Sequence, residues 1–544
     1  MKFFKRFRRR SKSRRAPAIS ADDSHLYVHH AAPPAPRYDV TRKLPRPVLA
    51  RIFSFVCPHA VDASYRTSEE SMTEDGCMPC DMRDLAHCAV VCKRWFLDAQ
   101  RLLYSHVRID AVHYCDLEVE LAAKRKRRSF FDRNGVPVDA PEARLAFFLR
   151  SVRESQDLGN LVLSLRMPYM MREANKSEIA RTVSVLPNLR YVDLPSGIYS
   201  DEPSCRALKQ ELMARCPDIR RMSYRHGSEG TFSQLPGSRL WTGLEVLEIS
   251  GLHVEASILR LALGSLPNVH DLTLEGLPWL DDSALAPSQS LPLFPAVQRL
   301  CLIDTPNVTV NGILAFLSLP TNRNALHSLT LSSTGVFPSA LHHILTTSPQ
   351  LRELSVIQVV AHMFPVEKVP PLASRSLQLL HYEITSATGT YGVQQASASY
   401  YTYLISSLMS NSLPAIRDLY VRDAQFPDTL LLAPPPRIFG GGENGPQPVG
   451  GLQQSLNVYS KGMDELEWNF TPYEPVPTRG RRDSTTRPVS FHEAQRGRSW
   501  GGGDSRKSVL VGNGFGGFLA VPVDDERPKS SGGWKRDSRQ DLWR

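Results

Sequence analysis

A recurring spacing constrains this chain more than any other feature. The pattern is a proline, any residue, an apolar residue, two residues, a second apolar residue, one residue and a third apolar one. It occurs at Pro187/Leu189/Val192/Leu194, Pro217/Ile219/Met222/Tyr224 and Pro267/Val269/Leu272/Leu274. Further copies stand at Pro295/Val297/Leu300/Leu302, Pro349/Leu351/Leu354/Val356 and Pro414/Ile416/Leu419/Val421, and copies without the proline begin at Leu244, Leu326, Leu377 and Met463. From Leu189 to Leu377 the starts lie 30, 25, 25, 28, 29, 25 and 26 residues apart. In a chain that is 42% apolar the triplet alone would arise by chance, but a run of similar intervals points to a structural repeat. Within each copy the alternate apolar side chains share one face of a short strand. The leading proline ends the preceding segment and biases its neighbour toward extended backbone. Helix-like stretches such as Ala256–Leu263 and Asn311–Leu317 fill the intervals. A strand plus a helix of this length cannot bury its apolar face alone, so neighbours must stack.

The register resembles leucine-rich repeats at the long end of their range. The resemblance implies an α/β fold: a curved solenoid over residues 158–474 with parallel strands on its concave side. Leu158–Leu163 is expected as an early strand and Met463–Trp468 as the last one, with a flexible loop at about 428–455. Strand residues between the core positions would face the concave surface. Arg190, Tyr191, Arg220, Arg221, Glu245, His270, Asp271, Arg299, Arg352 and Glu353 are therefore the expected substrate-binding residues. Their mixed charge suits a polar, specific protein partner.

Two apolar segments precede the repeats. In the first, Leu44, Val48 and Ile52 are four apart, with Leu49, Phe53 and Val56 on the adjoining stripe. This predicts a helix opened by Pro45 and Pro47, whose missing N–H groups cost nothing in a first turn. The second runs from Asp84, placed to cap it, through Leu85, Cys88, Val91, Cys92 and Trp95 to Leu102, Leu103 and Tyr104. The order Leu44-Pro45, Val48-Leu49, Ile52-Phe53, then Val91-Cys92-Lys93-Arg94-Trp95 and Leu102-Leu103-Tyr104 resembles an F-box. That resemblance covers about sixty residues. It implies a small helical module docking on the Skp-type adaptor of an SCF ubiquitin ligase, and through it on a cullin. Carried over position by position, the adaptor contact centres on Leu44, Pro45, Val48, Leu49, Ile52, Val91 and Trp95. Together with the repeats the chain resembles the F-box/leucine-rich-repeat class of substrate adaptors, whose function is delivery of a protein target.

The module departs from the family at an insertion, Cys57–Arg83. Cys77 and Cys80 there have the two-residue gap of a zinc knuckle, with Cys57, His59, His87 and Cys88 as the available second pair. A single such pair is a weak signal, and Cys88 and Cys92 fall on the apolar helix face, so no metal and no other cofactor is expected. Acidic residues beside Ser68, Ser71 and Thr73 suit an exposed loop open to phosphorylation.

The net charge of +10 belongs to the ends. Residues 1–40 hold ten Lys/Arg against three Asp/Glu and residues 475–544 fourteen against eight, so the intervening chain is slightly acidic. Both ends, and 433–451, are too poor in apolar residues or too rich in Gly, Pro, Ser and Arg to order themselves. The expected organisation is a disordered basic tail (1–40), an F-box-like module (41–105, insertion 57–83), a helical linker (106–157), the solenoid, and a second disordered tail (475–544). Nine cysteines without a disulfide-scaffold pattern suit a reducing cytoplasm or nucleus. No Walker loop, nucleophile elbow or metalloprotease helix occurs, and the glycine run Gly512–Gly517 has no βαβ unit around it, so neither an enzyme nor a small-molecule substrate is expected. The alternative function is a repeat scaffold acting outside the ligase, at a membrane or nucleic acid, through its basic tails.

Overall fold

A computed structural model describes residues 40–56, 58–75, 83–109, 140–365, 369–387, 396–432, 452, 454–463, 465–474 and 508–509. Most of both tails, Cys57, Cys77 and Cys80 lie outside the described residues. The chain divides into two units, one ending at Ile52 and one starting at Phe53.

In the first unit a single 3-10 turn, Val40–Lys43, leads into the helix Arg46–Ser54, with Pro45 immediately before its first residue. The N–H groups of Val48 and Leu49 both donate to the carbonyl of Pro45, at 3.1 and 3.2 Å. Leu49 is buried, whereas Val48 and Ile52, one turn apart on the same helix face, are more than 40% exposed.

The second unit opens with the inserted segment and two helices. The stretch expected as one helix from Asp84 to Tyr104 is two, Arg83–Val91 and Lys93–Ser105. Cys92 between them is extended, with φ −156° and ψ 165°, which interrupts the helical hydrogen bonding. Leu85 and Ala99 are fully buried, and Phe53 meets Trp95 edge-on at 5.1 Å.

The Lys93–Ser105 helix runs directly into strand β1, His106–Arg108. Strands β2 (Ser164–Arg166) and β3 (Tyr191–Val192) follow β1 in one parallel sheet. A second sheet holds β4 (Arg221–Arg225), β5 (Val246–Ser250), β6 (Asp271–Glu275), β7 (Arg299–Ile303) and β8 (Ser328–Ser332). It continues through β9 (Glu353–Val360), β10 (Leu379–Ser386), β11 (Asp418–Val421) and β12 (Leu456–Ser460), all parallel and in chain order. Strand β13, Trp468–Tyr473, turns back antiparallel to β12. The sheets are linked where Arg220 N–H donates to Arg190 O at 2.8 Å. Strand order follows sequence order because each strand and helix covers only its neighbours, the arrangement of a repeat array.

The apolar triplets set this packing. In every copy from Leu189 to Val421 all three positions are buried, on the sheet face against which the intervening helices lie. Helices at Ala256–Gly264 and Val310–Leu317 agree with the sequence expectation within a residue. The residue after each of β5 to β8 is left-handed: Gly251 (φ 63°), Gly276 (φ 61°), Asp304 (φ 49°) and Ser333 (φ 50°). Each donates its N–H to the next repeat, so the same tight exit from the strand recurs whatever residue stands there.

Four boundaries differ from expectation. The array starts at His106, not at 158, because Tyr104, Val107 and Ile109 already carry the apolar register and β1 pairs with β2. Leu158–Leu163 is mostly the helix Gln156–Leu161; the strand is Ser164–Arg166, framed by buried Val162, Leu165 and Met167. The last parallel strand is β12, with Leu456 and Val458 buried, and the Met463 register yields only the start of antiparallel β13 at Trp468. The helix Phe426–Leu432, with Phe426 and Leu430 buried, runs into the start of the expected 428–455 loop, whose residues 433–451 lie outside the described ones.

Candidate functional site

Strand residues between the buried positions form the open face of the sheet. Arg190, Arg220, Glu245, His270 and Arg352 fall in one column across it. Each hydrogen-bonds to the preceding repeat through its main chain, with Gln298 and His327 completing the series. Arg221, Asp271, Arg299 and Glu353 fall in the adjacent column, in register through Val246 and Ser328. Oppositely charged side chains pair along these columns. Asp218 pairs with Arg190 at 3.1 Å and with Arg220, Glu245 pairs with Arg220 at 3.0 Å, and Asp271 holds both His270 and Arg299. Tyr191 belongs to the face but is buried; its hydroxyl donates to Asp193 at 2.6 Å, so it is not available for direct contact.

The inserted segment changes which part of this face is open. Expected as an exposed loop, residues 58–75 lie across strands β1 to β5. A turn at Pro58–Val61 is followed by irregular chain to Thr67 and a helix, Ser68–Asp75, with Ser68 and Ser71 buried. Thr67 and Glu70 cap that helix reciprocally: Thr67 N–H donates to Glu70 Oε2 at 2.8 Å and Glu70 N–H to Thr67 Oγ1 at 3.2 Å. Arg166, almost fully buried, pairs with Asp62 at 3.0 Å and donates to the carbonyls of Ser64 (2.6 Å) and Arg66 (3.1 Å). Tyr65 packs on the Tyr191 ring at 6.1 Å and donates to Glu245 at 3.0 Å, while Arg221 donates to its carbonyl. Burial, then the Glu245 hydrogen bond, pushes the Tyr65 phenol up to about 12, so it remains a donor at neutral pH. Ser68 N–H and Met167 N–H share Asp193 Oδ2, at 3.0 and 2.9 Å. Burial pushes the Asp193 carboxyl up, against the pull of these hydrogen bonds and of Arg172. Glu69 bridges Arg172 at 3.2 Å and accepts from Tyr169 N–H at 2.7 Å. A half-open cavity of about 360 Å3 remains beside the segment, lined by Glu70, Tyr169, Arg172, Tyr199, Arg225 and Glu248 among others.

At the other end, Glu383 of β10 is surrounded by His381 (2.6 Å), Lys461 (3.3 Å) and Arg422 (3.4 Å). Burial opposes its ionisation, but the hydrogen bond and charge of His381, with Lys461, outweigh it and hold the carboxyl at about 2. Lys461 lies over Trp468 at 4.1 Å, and Tyr420 stacks on Tyr459 at 4.4 Å. These residues, with Arg166, Asp193 and Glu248, are absent from the sequence-derived set. His381, Glu383, Tyr420, Arg422, Asp193 and Glu248 continue the alternation of strands already in the register, so extending the period-two pattern would have found them, whereas Arg166, Tyr459 and Lys461 sit on or just after strands the register did not place.

The expected adaptor residues fall in both units. Leu44 is half-buried and Pro45, Val48 and Ile52 exposed in the first; in the second Val91 is exposed and Trp95 half-buried. Leu49 is a core position, so it would support the helix and not touch a partner. Among the described residues no cluster of His, Cys, Asp and Glu could hold a metal ion, and no helix is long and apolar enough to cross a membrane.

No family model and no curated protein matches the sequence. Among solved structures, one described as the Rad7 and Elc1 complex in yeast is similar at 16% identity, over 50% of this chain and 66% of that chain, with a TM-score of 0.34.

Proposed function

We propose that this chain is the substrate-recognition subunit of an SCF-type ubiquitin ligase. Its F-box-like helices dock on a Skp-type adaptor and, through it, a cullin, while the open sheet face takes the protein target. The chain itself performs no catalysis, and it works in the cytoplasm or nucleus. One observation carries this reading: the helix Lys93–Ser105, which bears Trp95, runs without a linker into the first strand of a repeat array. Two others support it. Val48 and Ile52 in the first unit, and Val90 and Val91 in the second, leave apolar side chains in water while the repeat triplets are buried, as a docking surface would. The open face is built of paired charges, suited to a polar protein surface.

Affinity purification of the full chain from cells tests the proposal. Adaptor and cullin are expected to come down with the wild type and to be lost with Leu44→Ala/Pro45→Ala. A folded chain that retrieves neither refutes it.

A further inference from the structure

We infer that the open face over strands β1 to β5 is a peptide groove filled in cis by residues 62–70, and that its partner in trans is an acidic protein segment bearing an aromatic side chain. This deepens the proposed function and rests on it for one point only, that the bound segment belongs to a ligase target.

The contacts are those of a groove with its ligand. The Arg166 guanidinium reaches the carbonyls of Asp62, Ser64 and Arg66, so the segment curls around one cation, which fixes its backbone without demanding particular side chains. Selectivity comes from three further points. Tyr65 lies on Tyr191 and reaches Glu245, Asp62 meets Arg166, and Glu69 and Glu70 meet Arg172 and Arg221. The groove thus contributes three guanidinium groups where the segment contributes three carboxylates.

The hold is polar and therefore exchangeable. Tyr65 is the one aromatic side chain in residues 62–70, which otherwise engage the groove through charges and main-chain groups. Such contacts can be taken over by water or by an equivalent set of acceptors once the segment lifts, which apolar burial does not allow. The site is also incompletely filled. The cavity of about 360 Å3 adjoins Glu70, and Arg172 on its wall is a buried cation whose Nε has no hydrogen-bond partner. A partner carrying one more acceptor than the cis segment would gain that contact. A tethered occupant lowers the apparent affinity of any competitor through its high local concentration.

The test is fluorescence anisotropy with a labelled synthetic peptide of this chain's own residues 58–75. It is titrated against full-length wild type and against Asp62→Ala/Tyr65→Ala/Glu69→Ala, which loosens the cis segment. The triple variant is expected to bind the peptide about tenfold or more tightly than wild type. A peptide with Lys at positions 62, 69 and 70 should not bind. Hydrogen exchange on the wild type covers the case in which the triple variant does not fold: excess peptide should accelerate exchange of the amides of residues 64–70. No saturable binding, equal binding of the charge-reversed peptide, or unchanged exchange under excess peptide each overturns the inference. None of these measurements involves the adaptor. Peptide failure with adaptor retained removes only the groove, and adaptor failure with peptide binding removes only the ligase reading.

Discussion

Glu353 and Leu354 are neighbours on β9, and a substitution would be felt differently at each. Leu354 is the middle apolar position of its repeat and fully buried, while Glu353 is exposed on the open face. Leu354→Ala removes core volume between two sheet neighbours, Leu329 and Leu380, and should cost about 2–5 kcal/mol. Glu353→Ala should cost under about 0.5 kcal/mol, the usual effect of a surface change. Urea unfolding of both variants checks the contrast, and equal losses would mean the register is wrong. That register was legible in the sequence, because two-residue alternation is a local property of an extended chain. What alternation could not show was which of the outward residues are already engaged. Tyr191 reads as a face residue, yet Tyr65, far away in sequence, covers it.

At the scale of elements, Glu383 ties three strands together. Its carboxylate meets His381 on β10, Arg422 just after β11 and Lys461 just after β12, so protonating it releases three contacts at once. Its folded-state value, about 2, lies below the usual 4.5 of a glutamate. The stability it contributes is therefore fully present above about pH 4.5 and lost as pH falls toward 2. Glu383→Gln should cost about 1–3 kcal/mol near neutrality and progressively less toward acid. Thermal unfolding of both proteins between pH 7 and 3 measures the difference, and a gap that does not narrow would remove the cluster's role. Element boundaries were less legible than element existence. The break at Cys92 carries no glycine or proline, so the helical spacing reads straight through it. Strand β12 escaped because its first buried apolar residue, Leu452, stands one place earlier than the repeat register requires.

Across the second unit, both ends of the array need covers. A parallel strand left at an edge exposes unpaired main-chain groups and, here, a layer of apolar side chains. Antiparallel β13 covers β12 at one end. At the other, the Lys93–Ser105 helix brings Tyr104 onto Phe148 at 6.4 Å, and Ser105 O accepts from Leu163 N–H at 2.8 Å. The inserted segment adds the groups that satisfy Arg166. A chain starting at residue 106 should therefore lose protection in β1 to β3 by about tenfold or more in hydrogen exchange, while β8 to β10 stay protected. Unchanged exchange in β1 to β3 would show that the helices are independent of the array. For the same reason, loss of adaptor binding is better tested with point substitutions than by deleting the module.

The sequence by itself determined the repeat register and the existence of the leading helices. These follow from spacing and alternation, which act between residues close in the chain. Only the tertiary structure decided where residues 58–75 go. Their helix was readable in principle from Thr67 and Glu70, three apart as a capping pair must be. Their destination was not. It depends on Arg166, Asp193, Arg221 and Glu245, roughly 100 to 180 residues distant, through single charges and main-chain groups that leave no periodic trace. The open face was written in the alternation of the strands; its occupation was settled by contacts that exist only once the chain has folded.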